Sequence, residues 1–335
     1  MVLKLLLVNG LGIIRVVGVG LMLLYISAIA VQAQSILEFE RVHKLPVGVF
    51  DMGFCASEKA IFSVGGQIVQ GGEIKNTEVI MIYSPFTDDW SKALFTSGDI
   101  AVKGASTSTY LKGSNSIYTL ALSKKDEEEY TTYPLEVLNL DNYRLTYDES
   151  NPHRAALAGI ASDEQSIYVF GGYSTNEDGE FEFNKQLHKY DPVTSQWVEL
   201  SNLPEGRRSK EVVVNNQLYV IGGEVKDGIT SEVIKYDLAE NKWFSVGYLP
   251  NPSNAHSIAT SNEHIFVIAG EEQADKLLMI NSKTNDIDQF DIRFGFQKPG
   301  LAVLERYLYL FGGYAPRSNT ANRKTLRISL EELIK

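Results

Sequence analysis

A short alternating segment that ends in two small residues recurs along the whole chain. It appears as AIFSVGG (60–66), SIYVFGG (166–172), QLYVIGG (217–223), HIFVIAG (264–270) and YLYLFGG (307–313), with a degenerate copy, SIYTLAL (116–122), in the widest gap. The first small residues stand at positions 65, 121, 171, 222, 269 and 312, which gives intervals of 43 to 56 residues. Self-similarity at such a period indicates a repeat architecture with one small sheet per unit.

A second element follows the first at a regular distance. Tyr and Trp stand seven residues apart across a polar turn in YSPFTDDW (83–90), YDPVTSQW (190–197) and YDLAENKW (236–243), and INSKTNDI (280–287) keeps the spacing without the aromatics. An apolar stretch precedes each small-residue pair, as in EVVVNN (211–216) and GLAVLER (300–306). Alternation of β-branched and aromatic residues with polar ones predicts strands. Each unit is therefore predicted to contain strands A, B, C and D, with B ending in Gly-Gly and D starting at Trp.

This pattern resembles the kelch repeat, and the resemblance covers about residues 36–333. It implies an all-β fold, a six-bladed kelch β-propeller forming a single domain over residues 34–335. The second and fifth units depart from the pattern, so their blades are inferred partly from spacing. The predicted blades span approximately 47–96, 100–148, 153–203, 205–250, 252–293, and 297–333 together with 36–46.

The segment FERVHKLP (39–46) looks like the end of a repeat that has no beginning. Complete units end in the same pattern, eight residues from an aromatic residue to Leu-Pro, at WVELSNLP (197–204) and WFSVGYLP (243–250). The sixth unit has strands A, B and C and lacks strand D. Pairing the N-terminal strand with the last blade would close the ring and remove two open sheet edges. The alternative is that this segment is only an extended linker.

The N-terminal 33 residues differ from the rest of the chain. An apolar run, Val16–Val31, is followed by small residues at Val31 and Ala33, which predicts a signal peptide (1–33) cleaved after Ala33. An uncleaved anchor is the alternative, because the run approaches membrane-spanning length. Cleavage removes Lys4 and Arg15 and takes the formal charge from −11 to −13. We therefore expect an exported protein, periplasmic or extracellular, that is monomeric and not inserted in a membrane after cleavage.

Charge and cysteine content exclude several classes. So acidic a chain disfavours nucleic acid as a partner, because phosphate binding relies on concentrated Lys and Arg. The single Cys55 has no second cysteine with which to form an internal disulfide. The expected partner is a protein or a glycan.

Propeller topology places the B–C loops and the D–A connectors on one face. The long, irregular segments 123–134, 173–185 and 314–324 are B–C loops, and loops of that length on a rigid scaffold commonly bind ligands. The connectors on the same face contribute charged residues near the central funnel, namely Asp51, Lys103, Arg154, Arg207, Arg208, His256 and Lys298.

Five of these connector residues are predicted to bind a small anionic or polar ligand: Arg154, Arg207, Arg208, His256 and Lys298. Arginine supplies bidentate contacts to a carboxylate. The alternative is that the arginines pair with neighbouring carboxylates and tie blades together. The acidic run Asp126–Glu129 is interpreted as a solvated loop, since it lacks the ligand and glycine spacing of an EF-hand calcium site.

No catalytic motif is present. Galactose oxidase carries kelch blades and binds copper through two Tyr and two His, but the five histidines here are scattered singly and no pair has ligand spacing. No metal or cofactor is expected. The chain is also similar in architecture to the periplasmic sialic acid mutarotase (N-acetylneuraminate epimerase). That resemblance would imply an Arg anchor (Arg154, Arg207 or Arg208), with His256 or Asp51 as the acid–base group.

The leading interpretation is an exported, non-catalytic recognition module that binds a protein or glycan through the face bearing the B–C loops and D–A connectors. The alternative is a sugar mutarotase or epimerase. Fold alone does not decide between these two classes.

Overall fold

The computed structural model describes residues 36–93, 104–125, 129–132, 134–175, 179–254, 257–268, 270 and 274–334. The predicted signal peptide, Lys103, the acidic residues 126–128 and His256 lie outside the described residues. In the described part of the chain, no helix has both the length and the apolar content needed to cross a membrane.

The first three blades follow an N-terminal strand. Strand β1 spans Glu40–Val42. Blade 1 contains β2 (Gly53–Ala56), β3 (Ile61–Val64), β4 (Gln67–Gln70), β5 (Glu73–Asn76), β6 (Ile80–Ser84) and β7 (Asp89–Lys92). Blade 2 contains β8 (Ser106–Leu111), β9 (Ser116–Lys125), β10 (Glu129–Thr132), β11 (Leu135–Asn139) and β12 (Arg144–Asp148). Blade 3 contains β13 (Gly159–Ser162), β14 (Ile167–Phe170), β15 (Tyr173–Thr175), β16 (Phe181–Phe183), β17 (Leu187–Asp191) and β18 (Gln196–Glu199).

The last three blades have the same plan. Blade 4 contains β19 (Arg208–Val214), β20 (Gln217–Val225), β21 (Gly228–Asp237) and β22 (Lys242–Tyr248). Blade 5 contains β23 (Ser257–Ser261), β24 (His264–Ile268), β25 (Lys276–Asn281) and β26 (Ile287–Asp291). Blade 6 contains β27 (Gly300–Leu304), β28 (Tyr307–Phe311), β29 (Tyr314–Ala315), β30 (Thr320–Ala321) and β31 (Thr325–Ser329), followed by the short helix α1 (Leu330–Leu333).

Each blade is an antiparallel sheet whose main strands lie in the order A, B, C, D. The A strands β2, β8, β13, β19, β23 and β27 contact one another in that order, and β27 contacts β2. Hydrophobic clusters fill the spaces between adjacent blades, and one of them joins residues of blades 1 and 6. The predicted six-bladed β-propeller is confirmed.

The N-terminal strand closes the ring. Strand β1 pairs antiparallel with β31, with Glu40 opposite Arg327 and Val42 opposite Thr325, and so supplies strand D of blade 6. Downstream of β1, the Leu45 N–H donates to the Arg323 carbonyl at 2.8 Å, and the Leu45 side chain is fully buried. This closure is the one that the truncated repeat at 39–46 predicts.

The paired glycines form the joints between consecutive blades. The N–H of the second glycine donates to a carbonyl in the next blade's connector, from Gly172 to Arg207 at 2.9 Å and from Gly223 to Ser253 at 2.7 Å. The last blade uses the same bond to reach the first, from Gly313 to Val49 at 2.8 Å. A Cβ on the first glycine of each of these pairs would lie 2.2 to 2.6 Å from the same carbonyl oxygen, which explains why glycine recurs there.

The repeated Tyr and Trp also contribute contacts between blades. Within a blade the two rings pack together, with centroids 5.3 Å apart for Tyr83 and Trp90. The indole N–H of Trp90 donates to the Thr325 hydroxyl at 2.9 Å, and that of Trp243 donates to the Ser201 carbonyl at 2.9 Å. Each of these acceptors belongs to the preceding blade, so buried indole donors find partners across the blade interface.

The expectation that the B–C segments are irregular is wrong. They extend into two-stranded ribbons, β4–β5 in blade 1, β15–β16 in blade 3 and β29–β30 in blade 6. In blade 4, β20 and β21 continue past the sheet and pair as far as Val225 opposite Gly228. Two-residue turns such as Gly71-Gly72 suit tight hairpins.

Candidate functional site

The surface that carries the ribbons and the connectors is called the ribbon face here. It comprises β4–β5, β15–β16, β29–β30, the β20–β21 hairpin end (223–230) and the connectors that precede each A strand. All of these segments lie on one face because every B strand runs to the same end of its blade. The opposite face carries the C–D turns.

Contacts between neighbouring ribbons hold the ribbon face in a fixed arrangement. The rings of Phe50 and Tyr314 stack with centroids 4.5 Å apart, and the Asn319 side-chain amide donates to the Gly72 carbonyl at 2.7 Å. Elsewhere on the face, the Tyr173 hydroxyl donates to Glu224 of the next blade. A surface held in this way loses little conformational freedom when a partner binds.

Three ribbons expose a large apolar side chain each. Ile74 is 46% exposed, Phe181 is 62% exposed and Ile229 is 49% exposed. Each stands beside carboxylates of its own ribbon, such as Glu73 next to Ile74. Apolar anchors within a polar surround are typical of protein-binding surfaces.

Two predicted site residues lie together at the mouth of the central channel. Asp51 and Arg208 both line a cavity of about 40 Å³ together with Lys210. Asp51 accepts from Lys298 at 3.4 Å, and the backbone N–H of Asp51 donates to the Lys298 carbonyl at 3.2 Å. Because this pair joins the connectors of blades 1 and 6, Lys298 contributes to the joint between them.

Arg208 is held by a carboxylate of its own blade. Its Nη1 lies 3.3 Å from Glu224 Oε1, and Glu224 also accepts from the Tyr173 hydroxyl of blade 3. Burial alone would raise the pKa of Glu224. The hydrogen bond from Tyr173 and the charge of Arg208 outweigh burial, so the pKa is lowered. The three side chains therefore form a charged link between blades 3 and 4.

Arg207 lies inside the blade interface. Its side chain is 0% exposed, and its Nη2 lies 2.8 Å from Glu232 Oε2. The Arg207 carbonyl accepts the Gly172 N–H of blade 3. The ion pair lies within blade 4, so the backbone of Arg207 and not its side chain makes this bond to blade 3, and burial leaves the guanidinium out of reach of a ligand in solution.

The other predicted residues are dispersed. Arg154 is exposed on the connector before β13 and does not line the central cavities. His256, which is both a ligand-binding and an acid–base candidate, lies outside the described residues. The structure therefore brings together Asp51, Arg208 and Lys298.

Sequence reasoning missed two charged residues in the channel wall, Lys210 and Glu211 of β19. Glu211 is buried, and its Oε1 accepts the Ile160 N–H of blade 3. Gly159 makes room for this carboxylate, since a Cβ there would lie 2.4 Å from Glu211 Oε2. Burial raises the pKa of Glu211 and lowers the pKa of Lys210.

The sequence does distinguish Glu211, because the residues at the same position in the other five A strands are uncharged. The residues at the same register are Phe54, Ser108, Ile160, Ile258 and Leu301. All of them line the channel, which encloses a cavity of about 220 Å³.

The expectation that the histidines are scattered singly is wrong for one pair. His153 Nδ1 lies 3.0 Å from His188 Nδ1, and His153 Nε2 lies 2.9 Å from the Gly171 carbonyl. A carbonyl only accepts, so Nε2 of His153 donates to it and Nδ1 accepts from the N–H of His188. Burial, together with the neighbouring His188, lowers the pKa of His153 to about 4, and the hydrogen bond to Gly171 opposes this shift. The pair is a neutral, hydrogen-bonded part of blade 3.

Across the described ranges, no group of three or more His, Cys, Asp or Glu side chains is placed to hold a metal ion. The Cys55 thiol lines the channel, and burial raises its pKa. A thiol held protonated in this way is a poor nucleophile and a poor metal ligand.

Comparison with known proteins gives one family model and several relatives. Residues 52–270, more than half of the chain, match the family model of the KLHDC2/KLHL20/DRC7 Kelch-repeats domain. Kelch-like protein 40a of Danio rerio is 31% identical over 124 residues, which are 36% of this chain and 20% of that protein. Kelch-like protein terF of Aspergillus terreus is 26% identical over 163 residues, 45% of this chain and 35% of that protein. Beta-scruin of Limulus polyphemus is 26% identical over 208 residues, 57% of this chain and 22% of that protein. The chain thus spans between 20% and 35% of the length of these relatives.

Proposed function

Because the chain belongs to the kelch-repeat family of β-propeller proteins, we propose that it is a non-catalytic recognition module that binds a protein partner through the ribbon face. The observation that carries the proposal is the set of exposed apolar side chains on three ribbons, Ile74, Phe181 and Ile229. Kelch-repeat propellers typically serve as protein-binding modules, which agrees with this role. The net charge of −11 favours a partner with complementary positive charge.

The funnel geometry favours recognition over the sugar mutarotase alternative. A mutarotase would need an accessible basic anchor beside an acid–base pair. Arg207 is enclosed, Arg208 is paired with Glu224, and Asp51 is paired with Lys298. Each of these side chains therefore already lies beside an opposite charge or out of reach of solvent.

The test compares two sets of exposed apolar residues on opposite faces. The ribbon-face variant carries Ile74→Ser, Phe181→Ser and Ile229→Ser, and the matched control carries Phe86→Ser and Val193→Ser in C–D turns. We expect the ribbon-face variant to bind an affinity-captured partner about 100-fold more weakly, since truncating an apolar anchor costs on the order of 1–2 kcal/mol. Titration of the purified partner into each variant measures this.

The control variant should bind as the parent does, and both variants should unfold at the parent temperature. Equal weakening by the two variants would contradict the assignment to the ribbon face. If the captured ligand is a glycan whose binding is weakened only by the ribbon-face variant, the partner class is wrong and the assignment to the ribbon face stands.

The proposal includes export. The mature chain begins at Gln34 and functions in the periplasm or outside the cell. The support is the apolar run Val16–Val31 with small residues at Val31 and Ala33. Intact-mass analysis of cell fractions is expected to find a protein beginning at Gln34 outside the cytoplasm. A chain that keeps residues 1–33 and stays in the cytoplasmic fraction would refute export.

A further inference from the structure

A cleft of about 250 Å³ lies where the closing strand passes the end of blade 5. The Leu37 N–H donates to the Asp291 carbonyl at 2.9 Å, and Leu37 pairs with Ile292 in a parallel bridge. These contacts fix the segment before β1 against the connector after β26. The cleft lies between that joint and the B and C strands of blade 6, and it shares no lining residue with the channel cavity.

The walls of this cleft are mixed, and of their apolar side chains only Leu37 and Phe39 are more than 8% exposed. Leu37 and Phe39 line one side, Phe294 lies on the connector, and Leu326 is contributed by β31. Phe294 and Leu326 belong to the hydrophobic cluster between blades 5 and 6, against which Leu37 and Phe39 pack. A hydrocarbon group bound here would remove apolar surface of both ligand and protein from water.

Three cations surround these apolar side chains, and they come from three separate segments. Arg41 lies on β1, Arg293 on the connector after blade 5, and Lys324 immediately before β31. Within the described part of the chain, neither the Arg41 nor the Arg293 guanidinium forms a hydrogen bond or ion pair. Glu38 is the one carboxylate among the lining residues, so the cleft is locally positive in a chain whose net charge is −11.

Lys324 differs from the two arginines in having an aromatic partner. Its Nζ lies 5.0 Å from the centroid of the Phe296 ring, a cation–π contact that holds the ammonium near the cleft. The two arginines are the groups left to pair with an incoming anion. A planar guanidinium matches a carboxylate and forms two parallel hydrogen bonds with it.

We infer that this cleft binds a small amphiphilic carboxylate, with the carboxylate at Arg41 and Arg293 and the hydrocarbon chain against Leu37 and Phe39. The cleft volume of about 250 Å³ is below the usual range for ligand pockets, which favours a short acyl chain. The site is separate from the ribbon face and does not depend on the proposed partner. Since it bridges β1 and blade 5, an occupied cleft also stabilises ring closure.

The experiment titrates four probes into the full-length chain by isothermal titration calorimetry. Octanoate carries both features, 1-octanol carries the chain without the charge, octylammonium reverses the charge, and acetate lacks the chain. We expect octanoate to bind at least tenfold more tightly than each of the others, and to raise the thermal unfolding midpoint. Equal affinity for octanoate and 1-octanol would overturn the inference, because only a general apolar surface would then be present.

Variants locate the site. Arg41→Gln with Arg293→Gln should weaken octanoate binding at least tenfold and abolish the shift in the midpoint. The matched control, Arg144→Gln with Arg317→Gln, removes two exposed arginines that do not line the cleft and should change the affinity less than twofold. If the double variant does not fold, Arg293→Gln alone serves, since Arg293 lies outside the strands. Failure of octanoate to bind the parent chain, or equal weakening by the control, would overturn the inference.

Discussion

Replacing Gly222 with alanine is expected to lower the free energy of unfolding by about 4 kcal/mol. The new Cβ would lie 2.2 Å from the Ser253 carbonyl oxygen of the next blade, and the backbone at Gly222 has a φ of 59°. The clash is with backbone, so relief requires blades 4 and 5 to separate. Urea denaturation of the parent and the variant measures the loss.

Gly71→Ala is the matched control for this substitution. Gly71 has a φ of 62°, and a Cβ there meets nothing within 4 Å. Its replacement by alanine should lower the free energy of unfolding by only about 1 kcal/mol, because alanine disfavours the left-handed backbone conformation. The difference between the two variants isolates the close approach of the blades, and similar losses at both positions would contradict the proposed joint.

Removing the closing strand is expected to have a larger effect. A chain that begins at Val47 lacks β1 and Leu45, leaves the outer edge of β31 unpaired and loses a fully buried leucine. We expect a loss of roughly 5 kcal/mol or more, equivalent to a fall of about 10 °C in the unfolding midpoint. Differential scanning calorimetry measures it.

The control for this truncation begins at Ile36 and keeps β1 intact. It should unfold at nearly the parent temperature, which separates the effect of the strand from the effect of the preceding residues. A chain beginning at Val47 that is as stable as this control would show that β1 does not hold the ring together.

The blade strands were predictable because each one carries its own alternating pattern. The Gly-Gly pair marks the end of strand B, and the eight-residue pattern at 39–46 identifies the missing strand D of blade 6. The ribbons were missed because their strands are short and lie beyond the repeat. The Gly71-Gly72 turn was the available hairpin signal.

The site was less predictable because its chemistry depends on contacts between blades. Arg207 and Arg208 are adjacent in sequence, yet Arg207 is enclosed by the blade interface and Arg208 is half-buried at the channel mouth. His153 and His188 meet although they are 35 residues apart. Spacing along the chain does not encode such pairs, whereas strand register does.

The most direct test of recognition through the ribbon face is hydrogen–deuterium exchange of the protein with and without its captured partner. Binding is expected to slow exchange in 67–76, 173–175, 179–183 and 223–230, which contain the three apolar anchors, and to leave the C–D turns at 84–89 and 191–196 unchanged. Protection confined to those turns, with the ribbons exchanging as in the free protein, would contradict the proposed mode of binding.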